Sequence, residues 1–218
     1  MKNIRVKICC ISSLEEANLA VKAGAAALGL VGHMPSGPGV ISDDLIKKIA
    51  ANMPPPIASF LLTSEVKTTD IIAHHRRVET NTIQIVDALE EGSYADLRVQ
   101  LPGVKLVQVI HVLGDASLDE ALSVAPFVDA LLLDSGNPNA AVKTLGGTGN
   151  VHDWAVSRKI REQSNVPVFL AGGLKASNVQ AAVEAVEPFG LDLCSGVRTN
   201  NQLDPHKLEQ FFEALHRS

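Results

Sequence analysis

Hydrophobic positions in this chain come in short unbroken runs rather than in strict alternation. "IRVKICC" (4–10), "ALGLVG" (27–32), "IASFLLT" (57–63), "TIQIVD" (82–87), "LVQVIHV" (106–112), "ALLLDS" (130–135), "PVFLAG" (167–172) and "LDLCSG" (191–196) read as strands, most of them buried on both faces. Between them lie stretches of helical period, such as "SLEEANLAVKAG" (13–24) and "SNVQAAVEAVEP" (177–188). In the first, Ser13 is placed as an N-cap, Glu16 as its capping-box partner and Gly24 as a C-cap. "NMPPP" (52–56) stops a helix ahead of the third strand.

Eight strands, each followed by a helix-sized segment, leave an eight-stranded (β/α) barrel or an open doubly wound sheet. The count and regular spacing favour an α/β fold of the first kind, a single-domain (β/α)8 TIM barrel over residues 1–218. No Gly/Pro/Ser-rich linker divides the chain. A barrel of this kind carries its function at the C-terminal ends of the strands and in the loops that follow. Those ends hold Cys9 and Cys10, His33, Asp87, His111, Asp134, Gly172 with Gly173, and Ser195 with Gly196.

Composition narrows the function further. A formal net charge of -5 and an aromatic content of 4% argue against a nucleic-acid partner. No apolar run approaches the roughly 18 residues of a membrane span, so no membrane partner is expected and the cytoplasm is the default address. Three cysteines, two of them adjacent, do not make a disulfide framework, and no Cys/His spacing suits zinc.

The chemistry then falls on a few side chains. "LAGGL" (170–174) and "CSGV" (194–197) end strands seven and eight in small residues. Such loops either turn a tight corner or hold a phosphate on their backbone N–H groups. Asp134 and Asp192 are carboxylates set in apolar runs, costly unless paired or used. Asp192 contacts a ligand or pairs with a lysine such as Lys7. Cys9 is either a small buried hydrophobe or one half of an acid/base pair with Asp134 across the barrel mouth. The Gly/Asn/Pro-rich stretch 134–154 reads as a lid over that mouth.

In chain order, "VKIC", "LLDS", "GGTG..HDW", "PVFLAGGL..SNV" and "LDLCSGV" resemble the motifs of the phosphoribosylanthranilate isomerase family of tryptophan biosynthesis, from about residue 5 to residue 198. The resemblance implies an Amadori rearrangement of N-(5'-phosphoribosyl)anthranilate to 1-(2-carboxyphenylamino)-1-deoxyribulose 5-phosphate. It implies no cofactor and no metal. Carried over residue by residue, it makes Cys9 the general base and Asp134 the general acid. Asp192 would contact substrate, and Gly172, Gly173, Ser195 and Gly196 would hold the phosphate. Cys10 stands where the family has glycine. The expected partner is a small phosphorylated aminosugar, bound by a monomer or homodimer.

The sequence departs from the family where the anthranilate carboxylate is held. The family's Ser-Pro-Arg-Tyr-Val-Ser segment corresponds to "GPGVIS" (37–42), which puts Gly39 at the arginine. Gln-Leu-His-Gly becomes "QIVD" (84–87), an arginine in strand five becomes His111, and a glutamate after strand eight becomes Arg198. Lys7, His33, His111 and Arg198 are therefore the candidate substrate-binding residues beside Asp192. Two alternatives stay open: an isomerase of a different phosphorylated aminosugar, and a non-catalytic barrel that binds a sugar phosphate.

Overall fold

The computed structural model describes residues 4–35, 37–135 and 153–217. The stretch 136–152, read above as most of a lid, lies outside the described residues. All eight expected strands form: β1 (Arg5–Ile8), β2 (Ala27–Val31), β3 (Ala58–Thr63), β4 (Thr82–Ile85), β5 (Lys105–His111), β6 (Ala130–Asp134), β7 (Val168–Leu170) and β8 (Gly190–Leu193). Each has a helix behind it: α1 (Leu14–Ala23), α2 (Asp43–Ala51), α3 (Thr68–Val78), α4 (Tyr94–Gln100), α5 (Ala116–Val124), α6 (Trp154–Gln163), α7 (Val179–Val186) and α8 (Pro205–His216). The strands pair in chain order into a closed barrel, and β8 returns to β1 with Lys7 opposite Asp192. A short antiparallel hairpin, β9 (Arg198–Thr199) and β10 (Gln202–Leu203), leads into α8.

Unbroken apolar runs suit this architecture because each strand faces two cores. Outward residues such as Ile8, Leu28, Leu61, Ile83, Leu131 and Leu191 pack with helix residues such as Ile46, Ile71 and Phe211. Inward residues alternate with them and fill the barrel: Phe60, Leu62, Val107, Val109, Leu132 and Phe169. Among the described residues, no helix is long and apolar enough to cross a membrane.

The predicted helix start at Ser13 is half as expected. Its Oγ accepts the Glu16 N–H at 3.2 Å, and Gly24 caps the other end at φ 110°. The Glu16 carboxylate does not return to Ser13, however. It accepts from the Ser12 and Leu203 N–H groups and pairs with Arg198.

The first strand is shorter than its sequence pattern. β1 ends at Ile8, and Cys10 turns the chain with φ 61°. Cys9 still donates its N–H to Leu193 O at 2.7 Å, but Arg198 Nη2 donates to the carbonyls of Cys9 and Cys10 at 3.2 and 2.6 Å. Cys9 and Cys10 therefore do not alternate across a strand. The left-handed turn brings both against one cavity.

Candidate active site

Lys7 and Cys9 share the inward face of the first strand and its extension. Lys7 is fully buried and its Nζ donates to Asp192 Oδ2 at 2.8 Å. Burial alone would push the Lys7 ammonium toward neutrality, but the Asp192 charge and hydrogen bond more than reverse this and hold it charged. The other oxygen of Asp192, Oδ1, is buried with no partner. Room for this arrangement comes from Gly29 on β2. A Cβ there would lie 2.8 Å from Cys9 Sγ and 3.0 Å from Lys7 Nζ. The absent side chain lets an ammonium and a thiol converge over the same strand.

Asp134 ends β6, a strand whose other four residues are Ala and Leu. Its Oδ1 accepts the Ser135 N–H at 2.8 Å. Burial pushes its carboxyl above the ordinary carboxylate range, and the Ser135 N–H and the charges of His111 and Lys7 pull it back only in part. A carboxyl that keeps its proton is suited to general-acid work. His111 stands in register with Asp134 on the neighbouring strand. Its Nε2 lies 3.2 Å from Val86 O, and its Nδ1 is buried without a partner.

The glycine loop after β7 is held open by design of its backbone. Gly172 and Gly173 take φ 84° and 62°, a region that costs other residues strain. Asn178, at the start of α7, does not cap that helix with its side chain. It braces the loop instead, accepting the Lys175 N–H at 2.8 Å and donating to Gly173 O at 3.0 Å. After β8, Ser195–Val197 forms a single 3-10 turn. Gly196 has no room for a side chain, since a Cβ would collide with Leu174 O. The two loops thus pack against each other and present N–H groups at one edge of the barrel mouth.

One cavity, enclosing about 710 Å³ of atom-free space open to solvent, brings these parts together. Cys9, Asp134, Asp192, Gly172, Gly173 and Ser195 all line it. Four of the expected residues stand elsewhere. Gly196 lies behind it, in a groove beside α8. Lys7 lies beneath the cavity as the partner of Asp192, not in its wall. His33 is exposed on the loop after β2 and does not line it. Arg198 is buried, spent on both oxygens of Glu16 at 3.1 Å and on the carbonyls of Cys9 and Cys10. Its expected role as a substrate contact is corrected to that of a clamp on the Cys9 backbone, because a guanidinium so fully engaged has no free face toward the cavity.

Residues 6–214 match the family described as N-(5'phosphoribosyl)anthranilate (PRA) isomerase. The chain belongs to the PRA isomerase family. It is 34% identical to N-(5'-phosphoribosyl)anthranilate isomerase of Methanosarcina acetivorans, covering 97% of this chain and 92% of that one. It is 31% identical to the Methanocella arvoryzae protein of the same name, covering 97% of both. The phosphoribosyl anthranilate isomerase structure from Thermotoga maritima superposes with a TM-score of 0.80 at 27% identity, over 97% of this chain and 98% of that one.

Within the PRA isomerase barrel described here, three contributors escaped the sequence. Gln84 lines the cavity with a buried Oε1 that has no partner. Gly29 and Glu16 shape the Cys9 strand from opposite sides. Of these only Gly29 left a signal, a glycine inside a strand pattern where a close approach is expected.

Proposed function

We propose that this chain, working as one domain, catalyses the isomerisation of N-(5'-phosphoribosyl)anthranilate. One observation carries the reading: a buried Asp134 that keeps its proton and the Cys9 thiol line the same cavity as the Gly172–Gly173 loop and Ser195. The phosphate sits against the N–H groups of that loop and of the turn at Ser195. Asp134 protonates the ribose ring oxygen, and the ring opens to a Schiff base. Cys9, as thiolate, removes the C2 proton, and the resulting enolamine tautomerises to the ketone. The unpartnered Asp192 Oδ1 accepts from a ribose hydroxyl, which satisfies its buried lone pairs. His111 takes the anthranilate carboxylate through Nδ1, next to Asp134.

A second reading, isomerisation of a different phosphorylated aminosugar, is favoured by Gly39. It replaces the arginine implied by the resemblance, and a side chain there would run into Cys10. Turnover of freshly generated phosphoribosylanthranilate, followed by loss of its fluorescence, separates the two. Rapid turnover that disappears in Cys9→Ala and in Asp134→Asn supports the first reading. Folded wild-type protein without turnover overturns it.

A further inference from the structure

The seam where the chain's last barrel strand meets its first carries a second thiol pair that the isomerisation does not use. Cys10 and Cys194 are 184 positions apart in sequence, yet their sulfurs stand 2.7 Å from each other. That is within about 1 Å of the ~2.05 Å disulfide bond length. Both residues lie just past the ends of paired strands, β1 and β8, whose register fixes their separation. Cys10 also holds a left-handed φ of 61°, a conformation that costs a residue with a side chain and that aims its sulfur across the seam. Both thiols line the open cavity, and Cys194 is partly exposed, so a small reagent reaches them.

We propose that Cys10 and Cys194 are a redox modification site, closed to an intramolecular disulfide by a low-molecular-weight disulfide and stapling the β8–β1 seam. Cys194 opens the sequence. The Cys10 hydrogen bond and the Arg198 charge favour its thiolate, although burial opposes them, while Cys10 holds its own proton. The Cys194 thiolate attacks one sulfur of the reagent, breaks its S–S bond and releases one thiolate. Cys10 then loses its proton to the released thiolate and attacks the Cys194 sulfur, expelling the second reagent thiolate. Two protein thiols are oxidised and one reagent disulfide is reduced to two thiols. Cys9 is excluded as the partner of Cys10. Neighbouring Cα atoms across a trans peptide are ~3.8 Å apart, short of the ~4.4 Å minimum of ordinary bridges, and the described chain has no cis peptide.

The test uses the full-length protein and oxidised glutathione, with denaturing alkylation, intact mass and peptide mapping. Before oxidation all three cysteines alkylate. After it, only Cys9 is expected to, with the Cys10 and Cys194 peptides joined, and dithiothreitol restores the starting state. The thermal midpoint of the oxidised form is expected to rise by on the order of 5 °C, since the bridge closes a very long loop. Cys10→Ser and Cys194→Ser each abolish both effects. Three alkylated thiols after oxidation, a persistent glutathione adduct, a Cys9–Cys10 link, or an unchanged or lowered midpoint would each overturn the proposal. None of these readouts depends on turnover, so the proposed reaction and the staple stand or fall separately.

Discussion

A Cβ placed on Gly39 would lie 2.5 Å from the Cβ of Cys10. The two positions are therefore coupled: the side chain at 10 occupies the volume that a side chain at 39 would need. Gly39 itself sits at φ 83°. We expect Gly39→Ala to cost at least ~2 kcal/mol in the wild type, from overpacking and from the left-handed backbone. In a Cys10→Gly background the overpacking goes and only the backbone part of about 1 kcal/mol remains. Urea unfolding of the four proteins of this double-mutant cycle measures the coupling, and strictly additive costs would sink the explanation.

Asp134 trades stability for chemistry. Its carboxyl is raised by burial, so the folded protein binds a proton that the unfolded chain has already released. Stability contributed at this site is fully present below the unfolded value of about 3.9 and is lost as pH rises through the higher folded value. Asp134→Asn lacks this loss. Its thermal midpoint should exceed that of the wild type at pH 7–8 and approach it at low pH, while turnover falls at least ~100-fold. A variant that is less stable at neutral pH would contradict the assignment.

Arg198 and the cavity residues answer to different measurements. Breaking a buried ion pair from one side costs ~3–5 kcal/mol. Arg198→Met is expected to lower urea stability on that scale and to reduce kcat, with KM for the substrate nearly unchanged. An effect confined to KM, with stability intact, would return Arg198 to the role of substrate contact.

His111 should behave in the opposite manner. Its Nδ1 is the free group proposed to meet the substrate carboxylate. A hydrogen bond to a charged group contributes ~1.5–3 kcal/mol, so His111→Phe should lower kcat/KM by roughly 10- to 100-fold, mainly through KM. Equal kcat/KM in the variant would remove His111 from the site.

Lys7→Met leaves Asp192 buried without its partner. A loss of ~3–5 kcal/mol is expected, and the double variant Lys7→Met/Asp192→Leu should recover much of it, since a well-packed apolar pair avoids the desolvation cost. Failure of the second change to restore stability would mean that Lys7 contributes by packing rather than by pairing.

The barrel was legible because every strand is buried on both faces and leaves an unbroken apolar run. Cys9, Asp134, Gly172, Gly173 and Ser195 were legible because the fold places function at strand ends. Even the Lys7–Asp192 pair was visible as two charges set in apolar runs. Arg198 was misread because its partner, Glu16, is 182 positions away and looks from sequence like a capping-box residue. The length of β1 was misread for the same cause, since the carbonyls of Cys9 and Cys10 are drawn off by that distant guanidinium. His33 was misread because strand-end position says nothing of which way a loop turns.

The clamp of Arg198 on Cys9 and Cys10 also sets an order in time. The backbone that presents Cys9 is among the first segments to leave a ribosome, while β8, Arg198 and the Leu203 N–H that completes the Glu16 site are among the last. Contacts of such long range form late in folding. The nascent chain therefore carries its thiol exposed through most of its synthesis, and becomes competent only when its final segment arrives to close the ring.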